Sequence, residues 1–224
     1  MKKELDNFII ESDIYLDYFD EIINHIVENE KRILDFFKIE KLPEKVKIIF
    51  LSYEPFKEFV VSKYGEILDY VSGDSDSKSR TVRILNVKDQ IKYTKHKDAS
   101  VDKIKATTLH EIVHQCHRVY HCEYRQIRWF AEGLATNLSN QDYELISLEE
   151  CDINTLKNDF SHYEKSYKYA HTIVNYILNN YSNEEIIELY KNPNYLRERA
   201  ERIFEEAKIW VNEQLIKKQE LTKE

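Results

Sequence analysis

The chain has 224 residues, of which 33% are charged, and a formal net charge of −8. A protein of this length can bury a sizeable core within one domain. The acidic balance argues against a nucleic-acid partner, since phosphate binding requires a basic face, and no stretch approaches the length of a membrane span.

Helix breakers are scarce, with only three glycines and three prolines in the whole chain. Such a composition indicates a predominantly helical protein. Three cysteines, Cys116, Cys122 and Cys151, leave at least one unpaired, so a disulfide scaffold is not expected. The amino terminus has acidic residues where a signal peptide would have an apolar run, and we therefore expect a soluble, cytoplasmic protein without a membrane partner.

The first half of the chain mixes helical and strand-like patterns. Apolar residues recur at helical spacing over Ile14–Phe37, which predicts an amphipathic helix. Lys45–Leu51 has the β-branched alternation of a strand, and Pro55–Tyr64 returns to a helical pattern. Residues 72–79, rich in Ser, Asp and Gly, are predicted to form a loop, followed by a strand over Arg80–Val87. These strands predict a small mixed sheet.

After residue 100 the apolar spacing predicts helices only. The first three contain the candidate site residues described below. Asn183–Lys191 follows with Ser182 as its N-cap, and Asn194–Lys218 is predicted to be a long amphipathic helix. The predicted fold class is α+β and predominantly helical.

Two histidines and a glutamate stand at metal-site spacing in the stretch His110-Glu111-Ile112-Val113-His114. Residues four apart lie about one helical turn apart, so His110 and His114 project from one face and can hold one metal ion. Glu111 lies about 100° around the helix, where it can act as a general base on water rather than bind the metal. Two surface histidines on an ordinary helix would give the same pattern, so the motif alone leaves that alternative open.

A single acidic residue, Glu132, stands in the apolar run Trp129–Ala135. It is the candidate third ligand, because catalytic zinc usually takes three protein ligands and a buried carboxylate requires a partner. Gly133 costs a helix about 1 kcal/mol relative to alanine, which a close approach of two helices would explain. His117 and His121 lie near the face of the first two histidines but too far along the helix to share their metal, so we predict that they surround the site.

Together these residues resemble the gluzincin metallopeptidases, in particular the small peptidase-MA-like domains related to the catalytic domain of aminopeptidase N. The resemblance rests on the paired motifs His110-Glu111-x-x-His114 and Trp129-Phe130-x-Glu132-Gly133-Leu134-Ala135, and it spans roughly residues 45–190. It implies a thermolysin-like core, in which a small mixed sheet is followed by a helical zinc-binding subdomain. The connection between the two motifs is slightly shorter than in the larger relatives.

The resemblance also implies a helix that carries a catalytic tyrosine. Tyr167 precedes a small residue, Ala170, and the apolar pair Ile173–Val174 at the family's positions, so its phenol would stabilise the oxyanion of a tetrahedral intermediate. His171 is the rival, because other gluzincins use a histidine in this role and His171 shares a helix face with Tyr167. With sixteen tyrosines in the chain, an interfacial tyrosine without a catalytic role is the commoner explanation for any one of them.

The expected organisation is an N-terminal helical segment packed on the core over residues 1–42, a catalytic domain over 43–192 and a long C-terminal helix over 193–224. The expected activity is hydrolysis of peptide bonds in a peptide or protein substrate. In this activity Zn²⁺ is held by the three candidate ligands, and water attacks with Glu111 as general base. The sequence predicts no oligomeric state.

Two further inferences concern the substrate and the alternative function. The strand that captures a free amino terminus in the larger aminopeptidases has no counterpart here, so exopeptidase activity lacks support. Arg80–Val87 stands where the family has its edge strand and could pair with an extended substrate. The alternative is a catalytically idle gluzincin-like domain that binds or regulates a partner. The presence of Glu111 argues against it, because a structural zinc site needs no general base.

Overall fold

A computed structural model of the protein describes residues 1–76, 78–120 and 127–221. The chain divides into two compact units, the first from Met1 to Val119 and the second beginning at Tyr120. Within the described residues, the first unit combines a sheet with helices and the second contains helices only. The predicted fold class, α+β and predominantly helical with a small mixed sheet, is confirmed.

The first unit is built on a five-stranded mixed sheet with the order β1-β2-β3-β5-β4. The strands are β1 (Lys2–Glu4), β2 (Phe8–Ser12), β3 (Val46–Leu51), β4 (Gly73–Asp76) and β5 (Thr81–Leu85). β2, β3 and β5 run parallel, whereas β1 and β4 pair antiparallel with β2 and β5. Alternate apolar side chains of the parallel strands are fully buried, as expected of a sheet covered by helices: Phe8, Ile10, Val46, Ile48, Phe50, Val82 and Ile84.

The described part of this unit has the α-helices α1 (Phe19–Phe36), α2 (Tyr53–Tyr64), α3 (Val87–Tyr93) and α4 (Val101–His117). α4 packs on α1 and on strands β4 and β5. α2 packs against β5 through Phe56 and Val60, which contact Leu85. Successive residues of β4 point to opposite faces of the sheet, one toward α4 and the next toward α2. Gly73 lies beside α4, and the neighbouring Asp74 accepts a hydrogen bond of 2.7 Å from Tyr64 at the end of α2.

The second unit contains α5 (Arg128–Leu138), α6 (Ile153–Asn158), α7 (Ser166–Asn180), α8 (Asn183–Lys191) and α9 (Pro193–Leu221). α7 lies at its centre and packs on both α5 and α9. The predicted N-cap of α8 is confirmed as a capping box, in which the Ser182 hydroxyl accepts from the Glu185 amide and the Glu185 carboxylate accepts from the Ser182 amide. No helix within the described ranges has the length and apolar content needed to cross a bilayer.

Helices α5 and α7 approach each other at backbone distance where Gly133 faces α7. A Cβ added to Gly133 would lie 2.6 Å from Val174 Cγ2 and closer still to the Ala170 carbonyl oxygen. Real Cβ atoms do not approach other atoms so closely, so only glycine allows this packing. A close approach of two helices is therefore present at Gly133, and it is between α5 and α7.

Two predictions about the sheet are wrong. The loop predicted over residues 72–79 is wrong for Gly73–Asp76, which forms β4. The strand predicted over Arg80–Val87 is observed as β5, but it lies between β3 and β4 and is not an edge strand. Glycine, aspartate and serine have low strand propensity, so the pairing of β4 with β5 overrides the local preference of its residues.

Three elements were missed near these strands and at the amino terminus. β1 and β2 precede the first helix, which begins at Phe19 rather than Ile14, so residues 1–42 contribute two strands as well as a helix. α3 follows β5 directly, where its N-cap Asn86 accepts a hydrogen bond from the Asp89 amide. These segments are short, and short segments carry too few residues for a clear periodicity.

We predict that Gly133→Ala destabilises the protein. In an ordinary helix interior this change is stabilising by about 1 kcal/mol, but here the methyl group would collide with the backbone of α7, and overpacking of this kind costs about 1–3 kcal/mol. Urea unfolding followed by circular dichroism measures the difference. An equal or higher free energy of unfolding for Gly133→Ala would contradict the close approach.

Candidate metal centre

Helix α4 carries the first motif and is well defined at its start. The Ser100 side chain accepts a hydrogen bond of 3.2 Å from the Lys103 amide, as an N-cap should. The apolar side of the helix is buried through Leu109, Ile112, Val113 and Cys116. Burial raises the pKa of the Cys116 thiol to about 12, so this cysteine stays protonated at neutral pH and packs as a small apolar side chain. The neighbouring Cys122 lies outside the described residues.

His110 and His114 form a close pair on α4. Their Nε2 atoms lie 3.0 Å apart, and the two rings are nearly perpendicular with centroids 4.6 Å apart. Both side chains are buried, at 7% and 6% exposure. Two nitrogens bound at about 2.1 Å to one tetrahedral ion would be about 3.4 Å apart. The predicted one-turn spacing therefore brings both ring nitrogens to a separation that suits a shared metal.

His117 is buried next to this pair. Its Nδ1 atom lies 3.4 Å from the Nδ1 atom of His114, and its ring packs edge-on against Phe37 with centroids 5.3 Å apart. His117 therefore contacts the ring edge of His114 that faces away from His110. This position agrees with the prediction that His117 lies around the site and does not share its metal. His121, which we expected beside His117 near the site, lies outside the described residues.

The third candidate ligand, Glu132, lies on α5 and is 4% exposed. One ring nitrogen from each of His110 and His114 and one carboxylate oxygen of Glu132 all lie within 4.8 Å of one another. This donor set of two imidazoles and a carboxylate is one that zinc and other divalent transition metals accept. The three residues fit a metal ion, and the fit does not specify which ion.

Arg128, one turn before Glu132, is a charged neighbour that the sequence reading missed. Its Nε atom lies 3.8 Å from the Glu132 carboxylate, and its guanidinium lies over the Phe160 ring, 5.2 Å from the centroid. A cation at this distance offsets part of the cost of burying the carboxylate. The four-residue spacing of Arg128 and Glu132 was available in the sequence as a signal.

Glu111, the predicted general base, is buried at 8% exposure and follows His110 directly on α4. A Cβ added to Gly73 of β4 would lie 3.3 Å from the Glu111 Oε1 atom and 3.0 Å from Thr107 Cγ2. The carboxylate of Glu111 therefore lies against β4, at a strand position where any side chain would press on it. The sequence does not single out Gly73, because its surroundings have the composition of a loop.

His171 lies on the side of α7 that meets α5. Its Nδ1 atom is 3.1 Å from the Thr136 hydroxyl, which donates to the Gly133 carbonyl oxygen at 2.9 Å. Burial lowers the pKa of His171 to about 4, so the ring is neutral at neutral pH. The Thr136 hydroxyl thus links the His171 ring to the backbone of α5.

Tyr167 lies near the start of α7 and is 39% exposed. Its ring packs edge-on against Phe160, the ring that also lies under Arg128. Tyr143 is a second phenol that sequence reasoning missed. Its ring lies 5.5 Å from that of His171, and burial together with the charge of Glu132 raises its pKa. Tyr143 lies in an extended segment after α5, where no periodic pattern or motif marks it.

The structure thus brings the two histidines and Glu132 together, and it places Glu111 next to His110. Tyr167 and His171 lie on the helix that packs against the helix of Glu132. The catalytic roles of Glu111, Tyr167 and His171 stay predictions.

Comparison with known proteins adds no relative: no family model, no curated protein and no solved structure matches the chain. The resemblance to the gluzincins therefore continues to rest on the motif residues and their spacing.

We predict that the purified protein binds about one equivalent of Zn²⁺ or Co²⁺ per chain. Glu132→Ala should weaken zinc binding by at least about 100-fold, because it removes an anionic ligand. Competition with a chromophoric chelator measures the affinity. Glu188→Ala, which removes an exposed carboxylate from α8, is the matched control and should bind zinc normally. Unchanged affinity in the Glu132 variant would exclude Glu132 as a ligand.

Proposed function

We propose that this protein is a zinc-dependent peptidase that hydrolyses peptide bonds with Glu111 as its general base. The observation that carries the proposal is the position of the Glu111 carboxylate. It is buried, it follows His110 directly in the chain, and it lies against Gly73 of β4. A site that only stores a structural metal has no use for a second carboxylate at this position.

The proposed metal ligands are His110, His114 and Glu132. A zinc ion bound there would supply a Lewis acid that polarises the scissile carbonyl and makes water a better nucleophile at neutral pH. Metal binding would require neutral imidazoles and an ionised carboxylate, so the ligand set would then carry a single negative charge. His117 supports this set by contacting the ring of His114.

Glu111 handles the proton in the proposed reaction. Its carboxylate accepts a proton from the attacking water as the water oxygen bonds to the carbonyl carbon. It then returns that proton to the amine nitrogen as the carbon–nitrogen bond breaks. One carboxylate thus serves as base and then as acid, and the products are a carboxylate and a free amine.

The open edge of β4 supports a peptide as the substrate class. β4 is the outermost described strand on its side of the sheet, and an extended peptide can add to such an edge through its main chain. We expected Arg80–Val87 to be the edge strand that pairs with a substrate, and in this proposal β4 is that strand. Its residue Gly73 would bring the peptide backbone close to Glu111.

The residue that stabilises the oxyanion is Tyr167 in this proposal. The buried ring of His171 is neutral at neutral pH, so it brings no positive charge to offset the developing negative charge on the oxyanion. The phenol of Tyr167 is a donor on the same face of α7, one turn away. Tyr143 offers another phenol beside His171 and serves as the comparison in the experiment below.

The proposal is tested by incubating a denatured protein digest, used as a peptide library, with the zinc-loaded protein. We expect new peptide termini that disappear when a chelator is added. Glu111→Gln should abolish cleavage while zinc affinity and thermal stability stay unchanged, because the amide keeps the shape but cannot accept a proton. Mass spectrometry detects the termini. Absence of chelator-sensitive cleavage by the unmodified protein would favour the binding-module alternative.

For the oxyanion residue, we predict that Tyr167→Phe lowers kcat about 100-fold to 1000-fold with little change in KM. Loss of one donor that acts mainly in the transition state has this effect. Tyr143→Phe and His171→Ala should reduce kcat far less. Steady-state kinetics on a peptide found in the library experiment gives these values. A large loss in either comparison variant, with none in Tyr167→Phe, would transfer the role to that residue.

A further inference from the structure

The hydrogen bonds of β4 determine which of its backbone groups face the open edge. Gly73 pairs with Ile84 in the antiparallel register, and the Leu85 amide donates to the Ser72 carbonyl oxygen at 2.9 Å. In this pattern Gly73 and Ile84 are a non-hydrogen-bonded pair. The amide and carbonyl of Gly73, and by alternation those of Ser75, therefore point away from β5 toward the edge.

Arg118 covers one of these outward groups. It lies at the end of α4, and its Nη2 atom donates to the Ser75 carbonyl oxygen at 2.9 Å. Its Nη1 atom lies 3.4 Å from the Ser75 hydroxyl, which also accepts from Gln115 at 2.7 Å. A strand that donates to the Ser75 carbonyl therefore has to share this oxygen with the Arg118 guanidinium, which stands at the edge where the strand would lie.

The other side of Gly73 is also closed. Val71 lies two residues before Gly73, at the next position whose backbone groups would point away from β5. Its amide donates to the Leu68 carbonyl oxygen at 3.2 Å. The outward backbone groups of Gly73 thus lie between an occupied amide at Val71 and an occupied carbonyl at Ser75. Gly73 is also the residue beside the Glu111 carboxylate.

We propose that Arg118 is a specificity-determining residue that limits main-chain pairing of a bound peptide to the single position Gly73. This inference rests on the proposed function, because it takes an extended peptide as the ligand. Such a peptide gains two hydrogen bonds at Gly73 and leaves the edge at Ser75. Peptides longer than a few residues then gain no further main-chain bonds along β4, and the residue beside Glu111 is held in one register.

The experiment measures peptide binding in the Glu111→Gln protein loaded with zinc, so that no turnover occurs. The probes are acetylated and amidated alanine–threonine repeats of two, four and six residues. Ser72–Gly73 is the only Ser–Gly pair in the chain. Labelling with ¹³C-carbonyl serine and ¹⁵N-glycine therefore isolates the Gly73 amide signal, whose shift reports pairing and gives Kd.

We expect the Gly73 signal to shift, with nearly equal Kd for the peptides of four and six residues. Arg118→Ala should bind the six-residue peptide at least about fivefold more tightly, since one recovered hydrogen bond contributes about that factor. Arg118→Lys, which keeps a positive donor, should retain the flat length dependence. Thermal melts of both variants check that the fold is intact.

The outcomes separate this inference from the proposed function. A Gly73 shift with the same length dependence in all three proteins would overturn the role of Arg118 and leave the peptidase proposal standing. A Gly73 signal unmoved by every peptide would overturn main-chain pairing at this edge. The peptidase proposal itself is tested by a different experiment, and it would fail if the protein with Glu111 intact showed no chelator-sensitive cleavage.

Discussion

The backbone contact between α5 and α7 at Gly133 is the constraint on which the second half of the candidate site depends. It holds Glu132, the neighbour of Gly133, at a fixed place relative to the helix that carries Tyr167 and His171. Polar side chains reinforce the contact. Asn137 donates to the Gly133 and His171 carbonyl oxygens at 2.7 and 3.0 Å, and its own side-chain oxygen accepts from Asn175 at 2.8 Å. Glu132 and its neighbours are thereby held by a close backbone contact together with buried side-chain hydrogen bonds.

Burial of the acidic groups is the main energetic problem of the site. Glu111 and Glu132 are 8% and 4% exposed, and an ionised carboxylate that is removed from water requires a cation or several donors nearby. Arg128 at 3.8 Å supplies part of this for Glu132. A divalent ion among the two histidines and Glu132 would add a further positive charge beside this carboxylate. The burial that makes the carboxylates costly is thus also what favours metal binding.

The metal-ligand group could be predicted because its determinants are local. Helical spacing brings His110 and His114 to one face, and Glu132 is conspicuous as the one acid in an apolar run. Gly133 was informative for the same reason, since an unfavourable residue inside a helix requires a packing explanation. All of these signals lie within a few residues of the side chains they concern.

The edge of the sheet could not be predicted, because its determinants are distant in sequence. β4 is a strand only because it pairs with β5, and its residues alone favour a turn. Arg118 covers Ser75 across more than forty positions of the chain, and no periodicity indicates such a contact. Tyr143 reaches the ring of His171 from an irregular segment. Motifs on helices were thus accessible, whereas contacts made by loops and strand edges were not.

Glycine at position 73 bears on the choice between a peptidase and a binding module. Glycine weakens a strand interior and usually marks a close approach of another backbone or ligand. Here it stands where a side chain would press on Glu111, and it also directs its amide and carbonyl to the open edge. A domain that used its metal only for structure would gain from a β-branched residue at this position. The strand instead keeps room beside the acid and directs two main-chain groups to its edge, an arrangement that suits the proposed action of Glu111 on a bound peptide.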